Sequence, residues 1–168
     1  FKQLAPESAD AGLAANNLGL VLLEQDRLDE AEVHLTRGLE IFSKAVPGGL
    51  NESVCRMNLG RDARGEGRNA DAGIWLRDAL AIQEQVVPMT LHVAATLGEL
   101  AALHRAEGAL PLALDECRRA VAAVEAQLGL LGGGFGAAEK FKSRYVDLYR
   151  NLAELELEMG RPEAALHA

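Results

Sequence analysis

Cysteine, aromatic and hydroxyl side chains are all scarce in this chain. Two cysteines in 168 residues cannot build a disulfide framework, and neither stands in a CxxC pair, which removes the usual zinc spacing. A chain without such a framework is expected in a reducing, intracellular setting. Aromatics make up 4% of the residues, and there are only four serines and three threonines. Strand formers are sparse beside alanine and leucine, so the composition reads as helical. No run approaches the roughly 18 consecutive apolar residues of a membrane span, and no basic-then-apolar stretch opens the chain as a signal peptide would. Positive charge is in deficit: 17 Lys+Arg stand against 25 Asp+Glu, a net charge of −8. That balance argues against a general nucleic-acid binder. With 49% hydrophobic residues the chain is not of the disordered class. It begins at Phe1 and ends in mid-pattern at GRPEAALHA, and so reads as a piece of a longer protein or complex.

What is present is a repeat. Leu18-Gly19, Leu59-Gly60, Leu100-Ala101 and Leu152-Ala153 are each followed by a short polar turn and then by an alanine, at Ala31, Ala72, Ala113 and Ala165. The first small residue recurs at 19, 60, 101 and 153, in steps of 41, 41 and 52, and the alanine always lies 12 residues on. Each unit reads as two helices around a turn, with Asp29 and Asn69 as N-caps and Pro162 in a first turn. Small residues at both registers allow two helices to cross closely, which offsets the roughly 1 kcal/mol that a helical glycine costs. The units span about 11–49, 50–88, 89–128 and 137–168, the last one truncated.

This pattern resembles tetratricopeptide repeats, in the longer variety of kinesin light chains and related scaffolds. The resemblance runs from about residue 11 to 168. It is carried by Thr96-Leu97-Gly98-Glu99-Leu100-Ala101-Ala102-Leu103-His104-Arg105-Ala106-Glu107-Gly108, by Asn16-Asn17-Leu18-Gly19 and by Arg77-Asp78-Ala79-Leu80-Ala81-Ile82. The simple repeat has 34 residues; the step here is 41. Where the family has a large residue in the first helix, this chain has Leu22, Ala63, His104 and Glu156, and Glu156 is the misfit at a packing position. The resemblance implies an all-α, right-handed superhelical solenoid of antiparallel helical hairpins. It also implies a protein-interaction role, with adaptor functions among relatives. The longer final step falls on a glycine-rich insertion at 129–136, read as a loop with Phe135 near its tip, followed by a long helix from about Ala137 to Met159.

Chemistry is thin. Among His34, His92, His104 and His167 no two have the i, i+4 spacing of a helical metal pair, and His104 reads as a histidine at the edge of the core. Cys55 and Cys117 read as inert thiols, Trp75 and Tyr145 as packing residues, and Glu154, Glu156 and Glu158 as a solvated face. The GGGFG stretch follows no strand and lacks the lysine of a phosphate loop. No nucleophile–base pair, metal set or cofactor motif is present, so neither an enzyme nor a cofactor is expected.

What remains is a surface. In a stack of hairpins the first helices line the concave side. The register assigns to it Leu13, Asn17, Leu20 and Glu24; Val54, Asn58, Arg61 and Arg64; Glu99, Ala102 and Arg105; and Arg150, Asn151, Glu154 and Glu158. The expected partner-binding residues are Asn17, Leu20, Asn58, Arg61, Arg64, Arg105, Arg150 and Asn151. Asn17, Asn58 and Asn151 share one register, and a ladder of amides can bond an extended peptide backbone. The alternative role for these amides is packing or capping. The arginines favour an acidic protein or peptide ligand through charge-assisted bonds. The chaperone-tail clamp of some relatives needs lysines where this chain has Asn16, Met57 and Gly98, so that clamp is not expected. Two other readings fit the same residues: a structural spacer within a large complex, and the regulatory arm of an enzyme lying elsewhere in a longer chain.

Overall fold

The computed structural model describes residues 7–130 and 145–160. Among them are seven helices and no strand: α1 (Ala9–Glu24), α2 (Leu28–Ala45), α3 (Leu50–Gly65), α4 (Asn69–Val86), α5 (Leu91–Ala106), α6 (Leu110–Leu130) and α7 (Val146–Glu158). The fold is all-α and built of helical hairpins. The helices gather into two compact units that part between Val87 and Pro88.

In the first unit α1 pairs with α2, α3 with α4, and α2 with α3. Ser8 caps α1, its hydroxyl accepting from the Ala11 amide at 3.1 Å. The hairpins close on the two small registers. A Cβ at Gly19 would stand 2.6 Å from Leu35, and one at Gly60 2.6 Å from Leu76, with the Ala31 and Ala72 carbonyls 3.3 Å away. Ala31, Ala72, Leu35 and Leu76 are fully buried there. The turns repeat as well: Asp26, Gly67 and Gly108 all have positive φ, at 58°, 76° and 75°. Glycine takes that conformation without the Cβ clash that costs other residues about 1–2 kcal/mol.

Several expectations change. Asp29 and Asn69 are not N-caps: α2 starts at Leu28 and α4 at Asn69, preceded by Arg27 and Arg68, neither with a side-chain cap bond. Asp29 instead lies in the first turn, where a carboxylate meets the positive end of the helix. Trp75 packs on the Leu22–Leu35–Leu59 cluster, with the Arg56 guanidinium 5.7 Å from its ring centre.

In the second unit α5 pairs with α6, and α6 packs on α7. Ala101, Ala113, Leu114, Cys117, Val121, Leu152 and Leu155 form its core. Fully burying a leucine such as Leu155 contributes about 1.5–3 kcal/mol. Tyr145 stands at the N-cap of α7 with non-helical backbone, so the described helix begins at Val146 rather than running on from Ala137. Gly129 and Leu130 belong to α6. The rest of the expected insertion, including Phe135, lies outside the described residues, as do the start of the expected long helix, Pro162, Ala165 and His167.

Glu156 is the clearest correction. It is 2% exposed, on the inner side of α7, and the Arg118 side chain of α6 donates to its Oε1 from both Nε (2.9 Å) and Nη2. A buried carboxylate is tolerated when a guanidinium holds it. The misfit at a packing position is therefore an ion pair between two helices, and Glu156 is no part of a solvated face.

Candidate functional site

The concave feature that unites expected residues lies in the second unit, between α5, α6 and α7. It has a volume of about 290 Å³. Ala101, Ala102 and Ala106 come from α5, Cys117 from α6, and Asn151 and Leu155 from α7, with Arg105 over one side. Its shape follows from sequence: three alanines on one face of α5 leave room that larger side chains would fill. The lining is mostly apolar with a few polar groups at the edge, the usual composition of a binding pocket.

Arg105 spans from α5 to α7. Its Nη1 donates to Glu154 at 2.8 Å, and its Nη2 to Glu158. The hydrogen bond it donates to Glu154, reinforced by the one to Glu158, raises the guanidinium above its ordinary pKa, so it stays charged at every working pH. Its charge is matched by two carboxylates, and the rim as a whole is slightly negative. Cys117 is buried, and burial, with Glu116 next to it, pushes its thiol up to about 11. Such a thiol supplies apolar surface rather than a nucleophile. Cys55, likewise buried, is pushed up to about 12. His104 is half-buried and its Nδ1 lies 2.8 Å from Glu116 Oε2, bridging α5 and α6. Burial raises the Glu116 carboxyl despite that contact.

Of the eight expected binding residues, the structure brings Arg105 and Asn151 to this one pocket. Arg150 points elsewhere in an exposed pair with Asp147 at 2.8 Å. In the first unit Asn17 is exposed, Arg61 and Arg64 are half-buried, and Leu20 packs against the Leu22–Leu35 cluster. Asn58 departs from expectation. It is 2% exposed and donates from Nδ2 to Asn16 Oδ1 at 2.9 Å, so its amide serves the contact between α1 and α3. The expected amide ladder is therefore not a row of open side chains.

One polar arrangement escaped the sequence reading altogether. Glu32, Asp62 and Glu66 converge in the first unit, where Arg68 lies beside all three. Burial, aided by Glu66 and Glu32 and opposed by Arg68, pushes the Asp62 carboxyl up to about 6. A signal existed: two residues after each small residue the chain has Val21, Asp62, Leu103 and Leu155, one acid among three apolar residues.

The tetratricopeptide repeat family profile matches residues 10–85. No curated protein sequence matches the chain. Among solved structures, the fold is similar to that of BtubC (BKLC) from P. vanneervenii, with a TM-score of 0.75 and 15% identity. The similarity covers 99% of this chain, which spans 63% of that one. No described helix is long and apolar enough to cross a membrane. The matched segment, the two small registers and the hairpins they close agree, and residues 10–85 belong to the tetratricopeptide repeat family.

Proposed function

We propose that the chain is a protein-interaction module whose second unit receives one apolar side chain of an extended partner segment in the pocket between α5, α6 and α7. Tetratricopeptide repeats mediate protein–protein contacts, and the reading here adds a place and a chemistry. The observation that carries it is the pocket itself, with an alanine, cysteine and leucine lining and Arg105 and Asn151 at its edge. Asn151 is exposed and offers an amide to a partner backbone. The partner is uncharged or basic beside its apolar anchor. Arg105 already holds Glu154 and Glu158, and Arg150 holds Asp147, so the two arginines of this unit that favoured an acidic ligand are matched within it.

The test is selection of binding peptides from a random display library, followed by titration of the best peptide against wild type and Ala102→Trp. Ala102 is half-buried in the pocket wall, so an indole there fills the space without entering the core. The selected peptides are expected to share one apolar position with Lys or Arg nearby, and the indole to weaken binding about tenfold or more. Equal binding by a variant of unchanged helicity moves the contact to another surface and favours the spacer reading.

A further inference from the structure

We propose that the corner where α2 meets the turn between α3 and α4 is a site for a calcium-sized divalent cation, held by Glu32, Asp62 and Glu66. The three come from different places: Glu32 from α2, Asp62 from the last turn of α3, and Glu66 from the residue that ends it. One carboxylate oxygen from each lies within 4.8 Å of the others. Two oxygens bound to one calcium ion, at about 2.4 Å each, stand no more than about 4.8 Å apart, whereas magnesium at about 2.1 Å spans about 4.2 Å. An all-oxygen set suits a hard cation and disfavours zinc or copper.

The cluster is more than a patch of surface acids. Asp62 has no solvent exposure, and neither of its oxygens has a hydrogen-bond partner. The nearest cation is the Arg68 Nη2, at 3.7 Å, too far to donate. A buried carboxylate without a hydrogen bond is costly, and it stands where two other repeats bury a leucine, Leu103 and Leu155. Glu52 and Glu156, the other buried acids of first helices, each accept a hydrogen bond from a guanidinium; Asp62 does not. A buried acid that breaks its own repeat and lacks a hydrogen-bond partner marks a site rather than a packing choice.

Arg68 is the resident competitor. It pairs with Glu32 at 3.0 Å, with Glu66, and on its other side with Asp71 at 3.5 Å. One positive charge faces the three ligand carboxylates, so the corner keeps an excess of two negative charges, the charge of one divalent ion. The Arg68 side chain is partly exposed and can keep Asp71 while it yields Glu32 and Glu66 to an ion. On one side the cluster meets solvent: Glu66 also lines an open depression of about 400 Å³, with Asp26, Arg27, Leu28, Asp29 and Glu30 on its walls.

The experiment is calorimetric titration of the chelator-treated chain with calcium chloride, and separately with magnesium chloride. Wild type is expected to bind one calcium ion with a Kd of about 10⁻⁴–10⁻³ M, and magnesium more weakly. Asp62→Asn is expected to weaken calcium at least about tenfold. Arg68→Gln removes the competitor and is expected to tighten binding several-fold, which a scatter of surface acids would not do. Should Asp62→Asn fail to fold, Glu66→Gln is the second loss variant, and a weakening of the same order is expected. Absence of saturable calcium binding by wild type overturns the site. So does unchanged affinity in the loss variant that folds.

Discussion

Asn58 of α3 donates its side-chain amide to Asn16 of α1, 42 residues earlier in the chain, at 2.9 Å and out of contact with water. The two residues occupy neighbouring registers of successive first helices, and the bond ties one hairpin to the next inside the first unit. Removing one partner leaves the other a buried, unsatisfied group. Asn58→Ala is expected to lower stability by about 1–3 kcal/mol, read from urea unfolding. Replacing both residues by leucine is expected to recover part of that loss. A double-mutant cycle with no coupling would show the bond to be incidental.

Gly60 is expected to reject even one methyl group. A Cβ there would lie 2.6 Å from Leu76 Cγ and 3.3 Å from the Ala72 carbonyl, both on the facing helix. Gly60→Ala improves helix propensity by about 1 kcal/mol but overpacks the crossing, at a cost of about 1–3 kcal/mol. A net loss is expected. Adding Leu76→Ala should cost less in that background than in wild type, because the methyl then occupies space that the leucine vacates.

Glu52 sets a pH dependence. Burial alone would raise its carboxyl, but hydrogen bonds from Arg56, at 2.7 Å, and from the Gly48 amide, also at 2.7 Å, overcome this and hold it below its ordinary value of 4.5. A carboxyl depressed in the folded state contributes stability that is present above pH 4.5 and lost as pH falls through the folded value. The stability difference between wild type and Glu52→Gln is therefore expected to shrink as the pH is lowered from 6 towards 3. A difference that stays constant across that range would assign the role of Glu52 to shape alone.

Arg118 holds the buried Glu156 from α6. Arg118→Met leaves that carboxylate without its cation and is expected to cost about 2 kcal/mol, less than the roughly 3–5 kcal/mol of a fully buried pair because Arg118 itself is half in water. Combining it with Glu156→Leu is expected to restore or exceed wild-type stability, since neither charge is then left behind. Thermal unfolding of the three variants measures this directly.

Much of the fold is written locally. The registers at 19, 60 and 101, the alanines 12 residues on, and the turn positions 26, 67 and 108 lie within one hairpin each, where period, smallness and positive φ act over short stretches of chain. The caps were less legible: Asp29 and Asn69 are good capping residues in isolation, yet they lie inside the helices, because the chain leaves its turn one or two residues earlier. Of the candidate site, Ala102, Arg105 and Asn151 were readable from register alone. Their surroundings were not.

Periodicity and small-residue spacing in the sequence suffice for an all-α repeat of the tetratricopeptide kind and for the faces its first helices present. Tertiary structure decided which polar residues on those faces remain available. Arg105 meets Glu154 49 residues later, Arg68 meets Glu32 36 residues earlier, and Asn58 turns inward to Asn16. A helical register states the direction in which a side chain leaves its own axis. Whether it then meets water, a carboxylate or another amide depends on the neighbouring helix, and that is settled only when the hairpins pack.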